Sequence, residues 1–169
     1  IAPGPDDTQL REILSIATRT PDHGKLFPWR FVIVTPEQRS ALAELLESAY
    51  RAEKPDAGRQ EMATMHEFAT QAPALVVVLS SPKIGSHIPL WEQELSAGAA
   101  AMNLLHAAHA SGFAGGWLTA WPAYSDAVRD AFGSAQEKIA GFVFIGTTRK
   151  ELEERPRPDF DAVVSTWNP

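Results

Sequence analysis

The chain of 169 residues contains no cysteine, which removes disulfides, thiolate metal sites, iron–sulfur clusters and thiol catalysis in one step. A reducing, cytoplasmic compartment suits such a chain. Long apolar runs are also missing. Stretches such as Ala74–Leu79 and Ala97–Met102 fall far short of the ~20 residues that span a bilayer. The opening Ile1-Ala2-Pro3-Gly4-Pro5-Asp6-Asp7 shows no charged-then-apolar signal pattern. Positive charge is scarce: 15 Lys and Arg face 21 Asp and Glu, for a net charge of −6. With no long basic run, neither a nucleic acid nor a membrane surface is expected as a partner. Apolar types supply 44% and charged types 21% of the residues, a globular mix that excludes large-scale disorder. The length fits one domain over residues 1–169.

The apolar pattern places the elements. Asp6 or Asp7 can cap a helix over Asp7–Arg19, where Leu10, Ile13, Leu14 and Ala17 form one stripe. The two prolines and the glycine of Thr20–Pro28 predict a loop, followed by a strand over Arg30–Val34. Thr35-Pro36-Glu37-Gln38 reads as a helix start, with Leu42, Leu45, Leu46 and Ala49 as its stripe. A helix is expected over Arg59–Gln71 and stops at Pro73. Ala74–Leu79, without polar alternation, suits a strand covered on both faces in the middle of a sheet. Pro89 begins a long helix that ends at Gly112. Its small-residue middle, Ser96–Ala101, allows close approach of another helix. A glycine-rich strand follows at Phe113–Thr119, then a short helix over Ser125–Phe132 with Ser125 as its cap, and a buried strand over Gly141–Gly146. The tail from Arg149 to Pro169 contains Arg155-Pro156-Arg157-Pro158, which cannot be helical, and apolar residues without a periodic home. Packing against a second subunit would give them one. Interleaved helices and strands make the class α/β or α+β with a central sheet.

Several motifs suggest side-chain chemistry and do not carry it. His106-x-x-His109 puts two imidazoles on one helix face, but no third ligand of matching spacing accompanies them, so no metal site is assigned. Ser80-x-x-Lys83 lacks the companion motifs of penicillin-recognising enzymes. The glycines at 112, 115 and 116 do not form the dinucleotide fingerprint. Glu92 and Glu94 lie two apart, hence on different sides of a helix, and read as a solvated first turn favoured by the helix dipole. What remains is a polar cluster at the Pro-bounded loop: Arg19, Asp22, His23, Lys25 and Arg30. It is either a solvated loop or a site for an anionic aromatic ligand, with Trp29 or Trp117 as a flat surface and Gly115-Gly116 permitting close backbone approach.

Taken in order, Thr20-Pro21-Asp22-His23, Pro28-Trp29-Arg30-Phe31, Trp91-Glu92-Gln93-Glu94-Leu95-Ser96-Ala97-Gly98, Gly112-Phe113-Ala114-Gly115-Gly116-Trp117 and Gly141–Thr147 resemble the nitroreductase family, and most nearly its small YdjA-like branch. The resemblance runs from about Leu10 to Thr147. It implies an α+β fold with a mostly antiparallel central sheet flanked by helices, in an intertwined homodimer with flavin sites at the subunit interface. It also implies an FMN-dependent oxidoreductase that takes hydride from NADH or NADPH and reduces a small electron-poor acceptor, such as a nitroaromatic or quinone, by a ping-pong scheme. The flavin carries that chemistry, so no side chain is assigned as catalytic. Matched position by position, Arg19, His23, Trp117, Leu118 and Thr119 are expected to bind the flavin. Ala107, Ala108, His109, Ala110, Ser111 and Gly112 correspond to a stretch linked with the nicotinamide substrate. The family's Arg-Arg-Ser phosphate motif would be expected upstream of Ile1, and Arg155 or Arg157 of the tail could supply a phosphate cation. The same scaffold also serves dehalogenating and flavin-consuming chemistry, and a flavin-binding dimer without enzymatic activity is the remaining alternative.

Overall fold

The computed structural model describes residues 1–169. Helix α1 (Asp7–Ala17) starts with a reciprocal cap: Asp6 accepts the Gln9 amide at 2.8 Å, and the Gln9 side chain accepts the Asp6 amide at 3.0 Å. Strand β1 (Trp29–Val34) is followed by a 3-10 turn at Pro36–Gln38 that feeds helix α2 (Arg39–Glu53). Helix α3 (Arg59–Thr70), strand β2 (Ala74–Ser80), helix α4 (Leu90–Ala110), strand β3 (Ala114–Leu118), helix α5 (Asp126–Phe132), strand β4 (Lys138–Gly146) and a single turn, α6 (Phe160–Val163), complete the chain. The expected elements are present with most ends shifted by a residue or two; β4 begins three residues before the expected Gly141, and the start expected at Pro36 is a 3-10 turn before α2.

The strands form one sheet in the order β1-β2-β4-β3, and every neighbouring pair is antiparallel. This makes the fold α+β. Strand β2 is buried along its whole length because both faces of the sheet are covered. Leu75, Val77 and Leu79 point to one side, where they meet Leu42, Leu46 and Met62 of α2 and α3. Val76 and Val78 point to the other, against Leu10 and Ile13 of α1 and Leu104 and Ala108 of α4. Each fully buried aliphatic side chain contributes roughly 1.5–3 kcal/mol. The small residues of α4 have the expected consequence, since Ala97, Ala100 and Ala101 sit flat against α1 and the sheet. Gly112, at φ +84°, ends the helix in a conformation that suits glycine.

One local reading is corrected. Ser125 stands at the N-cap of α5, but its hydroxyl donates to Glu53 at 2.8 Å instead of capping the helix. The buried guanidinium of Arg39 is a structural brace, donating to the backbone carbonyls of Val34, Ala69 and Pro73. Desolvation lowers its pKa. From Thr148 onward every residue is exposed, including Leu152, Phe160 and Trp167. No helix is long and apolar enough to cross a membrane.

Candidate flavin site

The loop after α1 is fastened to α4 by side chains. Thr20 is buried, and its hydroxyl donates to Ala17 O at 2.8 Å while accepting from Asn103 Nδ2 at 2.7 Å. Ser96 Oγ donates to Pro21 O at 2.9 Å and accepts from Trp29 Nε1 at 3.2 Å. The Asp22 carboxylate accepts the backbone amides of Leu26 and Phe27. Those bonds hold a stretch in which Lys25 and Phe27 adopt φ of 55° and 49°, left-handed backbone that non-glycine residues enter only at a cost. His23 Nδ1 lies 2.8 Å from Glu92 Oε2. Glu92 is therefore a partner of the loop and not simply part of a solvated helix turn, while Glu94 turns away to Lys138 at 2.7 Å. Pro21, His23, Glu92, Ser96 and Ala99 border a cleft of about 370 Å³.

The loop cluster read from the sequence separates. Arg19 and Lys25 are exposed beside the loop. Arg30 leaves it, because strand alternation sends Trp29 and Phe31 toward α4 and Arg30 to the opposite face. There its guanidinium donates to Glu137 at 2.8 and 3.1 Å and to Phe132 O at 3.0 Å. These bonds hold the Glu137 carboxyl down at about 2, and burial opposes the shift. Trp29 is 7% exposed, so it cannot offer its face to a ligand; Trp117, at 37%, can.

Trp117, Leu118 and Thr119 belong to β3 and its exit. β3 is an edge strand, so one row of its amide groups has no ladder partner and can face a ligand. The register of β2 with β4 skips Ala140, a bulge between Val78 and Leu79. The Ala140 carbonyl accepts from Trp117 Nε1 at 2.9 Å. Gly141 makes room for that indole, since a Cβ there would stand 2.0 Å from Trp117 Nε1. The far edge of the indole reaches α4 at Gly98, where a Cβ would be 4.0 Å from it, and the space over Gly116 is open. Thr119 is half-buried, with its carbonyl accepting from the Ala123 amide at 3.3 Å.

Of the expected flavin residues, His23 borders the cleft that Ala99 of α4 also lines, and Trp117 reaches α4 at Gly98; Arg19, Leu118 and Thr119 border neither point. The stretch 107–112 lies elsewhere. His109 is about 15 Å farther along the helix at its usual rise, beside a cavity of about 790 Å³ also bordered by His106, Gly112, Arg155 and Arg157. Ala107 and Ala108 are buried in the core and offer no side chain to a ligand; His109, Ala110, Ser111 and Gly112 are at the surface. His106 and His109 have no third ligand, and no group of three or more metal-binding side chains occurs. Glu92, Ser96, Asn103 and Gly141 were not singled out from the sequence as site residues. The spacing of Glu92, Ser96 and Asn103 on one face of α4 is the signal that could have found three of them; Gly141 meets Trp117 only in the folded sheet.

An antiparallel sheet between two helical layers, with a polar loop and an edge strand each bordering one long helix, defines a class of α+β proteins. Residues 2–147 match the family model described as "Nitroreductase family". The chain belongs to the nitroreductase family. It is 37% identical over 146 residues to the protein of Escherichia coli K12 named "Putative NAD(P)H nitroreductase YdjA", covering 86% of this chain and 79% of that one. A nitroreductase-like family protein from Bacillus cereus superposes with a TM-score of 0.81 at 19% identity, over 98% of this chain and 87% of that one. NfnB from Sphigopyxis sp. strain HMH, described as an FMN- and NADPH-dependent nitroreductase, superposes at 0.79 with 16% identity, over 99% of this chain and 92% of that one.

Proposed function

We propose that this protein is an FMN-dependent oxidoreductase that uses NADH or NADPH to reduce a small electron-poor acceptor, such as a nitroaromatic or quinone, by a ping-pong scheme. The observation that supports the reading is that His23 and Trp117 both border α4, His23 in the cleft at Ala99 and Trp117 beside Gly98. Family membership and the name of the Escherichia coli relative support it.

The residues present fit a flavin. Gly116 leaves space for a flat ring, and edge-strand amides are available to its polar rim. Arg19 supplies a planar, permanently cationic fork of donors that favours negative charge on a reduced ring. His23 and the Thr119 hydroxyl add hydrogen-bonding groups. When bound, FMN would supply the chemistry, accepting hydride from the nicotinamide and passing electrons to the acceptor. The chain's own residues bind, orient and exclude water. In this reading the surface part of 107–112 takes the phosphate-bearing part of the dinucleotide, supported by Arg155 and Arg157 on the same cavity.

A homodimer belongs to this reading. Trp91, Leu95 and Met102 are exposed along one side of α4 at helical spacing, and the exposed tail carries Phe160 and Trp167. Covering these with a second copy removes an apolar surface that a monomer would leave in water. Initial rates measured with FMN-loaded protein at several NADPH and nitroaromatic concentrations test the function. Parallel double-reciprocal lines are expected; absence of acceptor reduction contradicts it.

A further inference from the structure

The side chains of α4 that reach the Thr20–His23 loop, Glu92, Ser96 and Asn103, lie on one face of the helix. Ser96 and Asn103 act on the loop's Thr20 and Pro21, whereas Glu92 acts on the functional side chain itself. Both partners of the His23–Glu92 pair are substantially solvent-exposed, so the contact adds little to stability. Its consequence is orientational. A neutral imidazole carries one proton, and a carboxylate can only accept. With Nδ1 directed at Glu92, the neutral ring keeps its proton there and presents Nε2 as a lone pair. An unconstrained histidine in water favours the opposite tautomer. Glu92 is free to serve His23 because the other carboxylate of the turn, Glu94, is engaged by Lys138, and the first turn of α4 is a favourable place for a negative charge.

We propose that Glu92 is a positioning residue that locks His23 in its Nδ1–H tautomer, so that Nε2 accepts a hydrogen bond from an N–H group of the ligand in the Pro21–Ala99 cleft. The inference rests on the flavin reading, since the oxidised isoalloxazine carries one such N–H, the imide of its pyrimidine ring. Glu92 selects the polarity of the contact: His23 receives a donor and does not give a proton to a carbonyl.

The test uses the whole chain with 15N-labelled histidine, observed by NMR at about pH 8, above the ordinary imidazole range. His23→Asn assigns the ring signals. The wild-type protein is expected to show a protonated Nδ1, and Glu92→Ala is expected to move the proton to Nε2. In parallel, FMN fluorescence quenching gives dissociation constants. Glu92→Ala should weaken FMN binding about tenfold, yet cause no further loss in a His23→Ala background, while Glu94→Gln leaves both readings unchanged. A protonated Nε2 in the wild-type protein overturns the inference, as does an equal loss from Glu92→Ala in both backgrounds. Failure of the wild-type protein to take up FMN overturns the flavin reading, and the ligand assigned here falls with it. Uptake of FMN with either of the other two results overturns the inference alone.

Discussion

The indole of Trp117 occupies the space that Gly141 leaves empty: a Cβ at position 141 would stand 2.0 Å from the indole nitrogen, which donates to Ala140 O at 2.9 Å. A bulge in one strand and a missing side chain beside it therefore set the attitude of an aromatic residue on the next strand.

Gly141→Ala should displace that indole. Forcing a methyl group into a filled space costs typically about 1–3 kcal/mol, and FMN binding should weaken with it. Urea denaturation and FMN titration of the variant measure the two effects. Wild-type stability together with wild-type affinity would contradict the role given to Trp117.

Arg39 holds three backbone carbonyls from a buried position without a carboxylate partner. Arg39→Met leaves those acceptors without their donor and should cost about 2–4 kcal/mol. Arg39→Lys should recover only part of it, because an ammonium lacks the planar fork. Thermal or urea unfolding checks the order wild type, Lys, Met.

The Arg30–Glu137 pair predicts a specific acid sensitivity. Glu137 is lowered from 4.5 to about 2 in the folded protein, so the unfolded chain takes up its proton first as pH falls. The stabilisation is complete above 4.5 and is lost as pH drops through about 2. With the Arg30 side chain nearly half exposed, screening leaves a contribution on the order of 2 kcal/mol. Urea midpoints of wild type and Glu137→Gln should differ at neutral pH and converge across that window. A constant difference throughout would refute the assignment.

Much of this arrangement was legible in the sequence. Leu10, Ile13 and Ala17 announced α1 by spacing, and the unbroken apolar run at Ala74–Leu79 announced a strand covered on both sides. Closeness in sequence to His23 suggests that Arg30 joins the loop, whereas the alternation of β1 turns it toward Glu137. Glu92 looked like an ordinary helix-start carboxylate, since its partner lies 69 residues away and only the fold brings the two together. The same holds for Arg39, whose acceptors at Ala69 and Pro73 are 30 and 34 residues distant. Local pattern encodes which face of an element is buried; it does not encode which polar groups meet once the faces have packed.

The apolar side of α4 predicts the assembly. Leu95→Glu and Met102→Glu each place a charge on a surface that a second copy would cover. Light scattering should find a dimer in the wild-type protein and a shift toward monomer in both variants. A monomeric wild-type protein would contradict the dimer proposal.

The central claim is that this chain binds FMN and passes reducing equivalents through it. The most direct measurement is the visible absorbance spectrum of the protein reconstituted with FMN, recorded anaerobically before and after NADH and then NADPH. The account predicts a bound flavin whose oxidised band bleaches with at least one of the two nucleotides. Bound flavin that stays oxidised with both, or a folded protein that retains no flavin, would contradict it.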